Sequence, residues 1–267
     1  MSRSGQGDET GLKTFMLLDA QTILRTLAGV FLIAFMKGAF GGGFAIIGIP
    51  LLSMVMDPLT AGALLAPLFV VMDLVALRYW KPDTWSKPDL KPLLPGLLVG
   101  IALGYLFLAA LDGRIVAIAM AAITLVFAGL WFRRGGETKV RPRPSVRAVG
   151  AGLASGVTSM VAHSGGPPLA MYLLPLGLSK ARYAGTTSIF FSVGNLVKAV
   201  PWLLLASLDA ELLQLMALSL IAIPFGVWSG WVLHARLNQQ QLYRACYLLL
   251  VVTALKLLWD GIGGFLP

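Results

Sequence analysis

Long apolar runs separated by short polar loops set the pattern of this chain. Eight stand out, at about 22–56, 58–77, 92–111, 115–132, 148–175, 183–206, 212–233 and 245–262. A helix needs about 20 apolar residues to cross a bilayer, and each run reaches roughly that length. The pattern predicts an all-α polytopic membrane protein. The first run is too long for one span. Its middle, KGAFGGGFAIIGIP from Lys37 to Pro50, places five Gly and a Pro within 14 residues. Each Gly costs a helix up to about 1 kcal/mol and Pro about 3, so the helix is expected to break there. The fifth run breaks likewise at HSGGPP, His163–Pro168.

The two breaks align. Lys37-Gly38 followed by Gly48-Ile49-Pro50 matches Ser155-Gly156 followed by Gly166-Pro167-Pro168 at a constant offset of 118 residues. Further on, an offset of 122 places Asp73 on Asn195, and 126 places Gly100 on Gly226 and Gly104 on Gly230. The expected organisation is one transmembrane domain over residues 1–267, built from two homologous halves that each open with a Gly/Pro-broken segment. Repeat one covers about 22–134, a basic cytoplasmic linker 133–147, and repeat two about 148–263. Chance coincidence among many glycines is the competing explanation, and the shared order of segment lengths argues against it. Matched broken segments are a signature of secondary transporters.

Composition narrows the class further. The chain is 57% hydrophobic and only 12% charged, with a mean hydropathy of +0.81. Soluble domains carry about 25% charged residues, and disorder needs low hydrophobicity. The single Cys246 excludes a disulfide framework. His163 and His234 lie 71 residues apart, too far for a local metal motif, and no cofactor is expected. Met1 to Gln21 holds no apolar stretch of signal-peptide length, so the first run is expected to be retained.

The net charge of +9 comes from 21 Lys and Arg against 12 Asp and Glu. The cations cluster in short loops, which the positive-inside rule explains without a nucleic-acid partner. The 78–91 loop holds four cations and the 133–147 linker six, so both are expected in the cytoplasm. If each broken segment crosses once, Lys180, Arg182, Arg236 and Arg244 fall outside. If each goes in and returns, all four fall inside, the acidic turn at 207–211 falls outside, and the halves are inverted. The cation count favours the second arrangement, with both termini outside.

Candidate chemistry gathers at the breaks and in the sixth run. Gly41, Gly42 and Gly43, with Gly165 and Gly166, offer unwound backbone where half-helix N-termini could face an anion; tight helix packing through small residues is the alternative. Lys37, Asp73 and Lys198 stand in apolar sequence, where ionisable groups are costly and are functional hypotheses by default. Snorkelling is the alternative for the lysines, and a fixed ion pair for Asp73, which is otherwise a coupling group. His163 and Ser164 are adjacent, which does not suit a nucleophile–base pair; they are candidate substrate ligands, His163 also a candidate proton ligand, and a satisfied structural histidine is the alternative. Ser188, Ser192 and Asn195 fall at i, i+4 and i+7 on one helical face, with Lys198 near it. A polar face with a cation suits an oxyanion; hydroxyl-mediated helix packing is its rival.

The GGGFAIIGIPLL stretch, the doubled halves, SGGPPLAMYLL (Ser164–Leu174) and RYAGTTSIFFSVGN (Arg182–Asn195) together resemble the TauE/SafE family, over about Gly29 to Gly261. The resemblance implies a multi-pass transporter of sulfite, sulfonates or related sulfur oxyanions in the plasma (inner) membrane, usually with seven or eight spans. The function expected is secondary transport of a small anion by alternating access, not enzymatic catalysis. The partners expected are that anion, the lipid bilayer, and H+ or Na+ as a candidate coupling ion. The rivals are a membrane scaffold or assembly factor, and an enzyme acting on lipid phosphate. The second would need paired acids and an Arg-bearing loop that neither break contains.

Overall fold

A computed structural model of the chain describes residues 19–44, 47, 49–56, 58–106, 113–133, 144–162, 164–205 and 209–263. Among these residues the chain forms ten α-helices and no strand. They are α1 (Ala20–Phe40), α2 (Ile49–Ser53), α3 (Pro58–Ala76), α4 (Lys87–Leu106), α5 (Gly113–Arg133), α6 (Ser145–Ala162), α7 (Gly166–Leu173), α8 (Lys180–Leu205), α9 (Ala210–Arg236) and α10 (Gln239–Gly263). Six of them, α1, α4, α5, α8, α9 and α10, are long and apolar enough to cross a membrane. Eight such segments were expected. The apolar part of α3 is shorter, at Thr60–Ala76, and α6 is diluted by Gly and Ser because it faces protein along its seam with α4.

The breaks fall where the sequence placed them. α1 ends at Gly41, whose φ of 77° is left-handed, and its N–H closes on the Lys37 carbonyl at 3.0 Å. Gly42 follows at φ 102°. Two successive positive φ values turn the chain away from the helix axis at little cost only for glycine. At the second break, α7 starts with Pro167 and Pro168 in its first turn, where a missing N–H costs nothing. α9 has a conventional start: Asp209 Oδ1 accepts from the Leu212 N–H at 2.8 Å.

Two glycine seams fix the helix packing. In one, Gly96 and Gly100 of α4 lie against the backbone of Val149 and Leu153 of α6, while Gly152 and Gly156 of α6 lie against Leu93 and Leu97 of α4. In the other, Gly226 and Gly230 of α9 meet Phe31 and Phe35 of α1, and Gly38 meets Val227. The numbers of the touching residues rise together on both members of each seam, so each pair is parallel. Small residues let the backbones approach closely, as van der Waals packing in lipid requires. The pairs α3–α8 and α5–α10 run antiparallel. Gly62 meets Trp202 while Asp73 meets Asn195, and Gly261 meets Ile118 while Tyr247 stacks on Trp131 at 4.0 Å.

These directions gather the C-terminal ends of α1, α3, α5, α7 and α9 with the N-terminal ends of α4, α6, α8 and α10. Lys180 Nζ donates to the His234 and Leu237 carbonyls, His234 Nδ1 bonds the Ala39 carbonyl at 2.8 Å, and Tyr243 donates to the Leu178 carbonyl at 2.8 Å. Arg78, Lys81, Lys87, Lys91, Arg133, Arg147, Lys180, Arg182, Arg236 and Arg244 all belong to this basic end. Asp19, Asp209, Glu211 and Asp260 belong to the other, together with Arg25, Arg114 and Lys256. α1 and α3 both end at the basic end, so the chain between them goes in and returns. The same holds between α6 and α8, in the opposite sense. The leading arms are long helices of 21 and 18 residues, so these segments are deeper than a shallow re-entrant hairpin. Large apolar side chains such as Val126, Phe225 and Leu255 stay exposed on the outside of the bundle, a surface suited to lipid.

Candidate functional site

The two breaks meet inside the bundle. Gly166, the first residue of α7, lies so close to Gly43 that a Cβ there would sit 1.6 Å from the Gly43 carbonyl oxygen. Ser155 Oγ donates to the Gly165 carbonyl, and the Ser164 N–H reaches the Thr158 carbonyl at 3.0 Å, which holds the second break against α6. Between the breaks and α8 lies a cavity of about 30 Å³, which Lys37, Gly42, Gly43, Ser164, Gly165, Gly166, Asn195 and Lys198 help to line. That is room for about two waters. A larger occupant needs the helices to part.

The cavity is electrically uneven. Lys37 pairs with one oxygen of Asp73, and Asn195 Nδ2 donates to the other at 2.8 Å. Lys198 Nζ donates to Ser159 Oγ at 3.1 Å and, among the described residues, has no carboxylate partner. Both ammonium groups lie over the Phe69 ring, 5.1 and 5.3 Å from its centroid, where the ring quadrupole attracts them. Among the described residues, two cations against one carboxylate leave a surplus of one positive charge. The Ser164 hydroxyl, on a residue only 2% exposed, is buried without a hydrogen-bond partner among the described residues. A hydroxyl and an ammonium facing one small cavity can serve an oxyanion.

Helix N-termini contribute less than the sequence reading supposed. Pro167 and Pro168 remove two of the free N–H groups in the first turn of α7, and α2 carries Pro50 in its own. The positive field comes mainly from lysine.

Not every candidate lines the cavity. Gly41 packs on the Ala184 carbonyl and Thr187 as the cap of α1. Ser192 donates to the Ser188 carbonyl at 2.8 Å, within its own helix, and Ser188 is buried away from the cavity. The face of α8 turned to the breaks runs Thr187, Phe191, Asn195, Lys198. Those spacings of four, four and three follow the helical period closely, whereas a stripe started at Ser188 begins one residue out of phase. His163 lies outside the described residues. Phe69, Ser159 and Phe191 also line the cavity. The position of Ser159, just ahead of the HSGGPP break, was a usable signal; the two phenylalanines read as ordinary core.

A second cavity of about 270 Å³ opens at the basic end, bordered by Pro144, Arg147, Pro168, Met171 and Tyr172. α7 therefore separates two spaces. Its first residue faces the central cavity and its later turns face this vestibule. Tyr172 donates to Asp89 Oδ1 at 2.9 Å, Ser86 Oγ donates to Asp89 Oδ2, and the Ser86 N–H donates to Thr186 at 2.8 Å. The chain of bonds ties α7 to α4 and α8.

No curated protein and no solved structure matches the chain. The family model described as Sulfite exporter TauE/SafE matches residues 26–257. That stretch holds every residue of the central cavity, and with its six spanning-length helices the chain is a multi-pass membrane protein belonging to the TauE/SafE sulfite exporter family.

Proposed function

We propose that this protein is a secondary transporter of a small anion, sulfite or a related sulfur oxyanion, sulfonate or organic acid, working in the plasma membrane by alternating access around the cavity between the breaks. The observation that carries the reading is the buried Lys198 ammonium, which among the described residues has no carboxylate within ion-pair distance, in a cavity that Ser164 also lines. An uncompensated buried cation is expensive, and an anionic cargo supplies the missing charge. Family membership supports the same class of cargo.

Alternating access draws on two inverted halves. In support, Gly100 meets Leu153 as Gly226 meets Phe35, and Gly104 meets Val157 as Gly230 meets Ala39. These contacts correspond under the sequence offsets, and the pairs that would lie on the symmetry axis, α3–α8 and α5–α10, are antiparallel. The basic end is then cytoplasmic by the positive-inside rule. The test is sulfite uptake into liposomes that contain this protein alone. Saturable uptake above protein-free vesicles is expected. Uptake equal to the blank would favour a scaffold.

A further inference from the structure

The charge inventory of the cavity carries a statement about coupling, which rests on the transport reading above. Lys37 does two things at once: it pairs with Asp73 and it lines the cavity. An anion entering there competes with Asp73 for the same ammonium. The surplus of one positive charge balances a monovalent anion. A divalent anion overfills the cavity by one negative charge, in a place where uncompensated charge is costly.

We infer that Asp73 is the proton carrier of the cycle, taking up one proton when a divalent anion binds and releasing Lys37 to the cargo. The proton comes from the solution on the side to which the cavity is open. It forms an O–H bond on the Asp73 carboxylate and leaves to solution on the other side as the anion departs. No other bond changes, and one negative charge crosses per turnover.

The surroundings of Asp73 suit this task. Facing it are Lys37 from α1 and Asn195 from α8, and Lys198 of α8 lines the same cavity. α2 carries no ionisable side chain. α9 keeps Glu211 in its first turn and Arg236 in its last, and its His234 is turned to the Ala39 carbonyl and the Trp80 ring. Asn195 matters because an amide can donate to the carboxylate and can also, through its own oxygen, accept from the protonated acid. The pair therefore stays bonded in both states, while the ammonium of Lys37 is free to change partner.

The experiment follows sulfite and proton movement together in proteoliposomes, with a pH dye inside and alkaline buffer in which sulfite is divalent. Wild type is expected to bring in one proton with each sulfite. Asp73→Asn should carry sulfite with no accompanying proton. Because that variant leaves Lys37 unpaired and could fail to fold, Lys37→Met/Asp73→Asn is measured beside it; with one cation against a divalent anion it is expected to carry sulfite more slowly than wild type, and again without an accompanying proton. Wild-type sulfite uptake without protons overturns the inference and leaves the transport reading standing. Proton movement that persists in either variant also overturns it, since the proton then rides on the anion itself. Loss of all sulfite uptake in both variants counts against it too, because Lys37 and Lys198 together still balance the anion in the first and Lys198 still meets it in the second. Absence of sulfite uptake in wild type removes the transport reading and this inference with it.

Discussion

Asn195 gives its side-chain amide to one oxygen of Asp73 at 2.8 Å, while Lys37 holds the other. Asp73 and Asn195 are also the two residues that an offset of 122 aligns in the sequence. They meet where α3 and α8 cross antiparallel, so a correspondence along the chain becomes a contact in space. A carboxylate with both oxygens occupied is tightly placed, and its stability depends on its partners.

Removing one member of a buried ion pair costs about 3–5 kcal/mol, whereas replacing both is often close to neutral. Lys37→Met is therefore expected to lower the thermal-unfolding midpoint in detergent strongly, and Lys37→Met/Asp73→Asn to recover most of the loss. Equal losses in the single and double variants would mean that Asp73 does not depend on Lys37.

The glycine contacts at the breaks give a second test. A side chain at Gly166 would strike the Gly43 carbonyl, and Gly42 has a φ of 102° that L-residues rarely adopt. Gly166→Leu and Gly42→Leu are each expected to abolish transport while the protein still inserts. Uptake near wild type in either variant would show that its break is not tightly packed.

Much of this was legible in the sequence, and for identifiable reasons. Apolar run length revealed the helices, and Gly with Pro at 37–50 and 163–168 revealed the breaks, because both signals are local. Lys37, Asp73 and Lys198 were conspicuous because charge in apolar sequence is rare. What depends on helix phase was not legible. Ser188 and Ser192 satisfied a spacing rule, yet the face that meets the breaks is set by Thr187 and Phe191, and only the packing of Gly43 on α8 fixes that rotation. The role of Phe69 depends on contacts across helices, which carry no local mark.

The Tyr172–Asp89 bond should hold α7 in place between the two cavities. A hydrogen bond to a charged group contributes about 1.5–3 kcal/mol, and 1.4 kcal/mol is about a tenfold change in an equilibrium. In a Cys246→Ala background, Ser164→Cys is expected to react with an impermeant thiol reagent from the basic side about tenfold faster once Tyr172→Phe is added. Equal rates would show that this bond does not restrain α7.

The distribution of charge predicts membrane orientation. A reporter active only in the cytoplasm should give strong signal when inserted in the 134–143 linker and little when fused after Pro267. Strong signal at both sites would contradict the inverted arrangement, though not the transport reading.

The central claim is that Lys198 meets the anion, and its replacement tests that most directly. Concentration-dependent sulfite uptake into liposomes is measured for wild type, Lys198→Met and Lys198→Arg at matched protein amounts. A lost charge-assisted contact worth about 1.5–3 kcal/mol should raise the KM of Lys198→Met roughly tenfold or more. Lys198→Arg should fall between, because a planar fork replaces a compact ammonium. An unchanged KM and rate in Lys198→Met would contradict the account and remove Lys198 from the site.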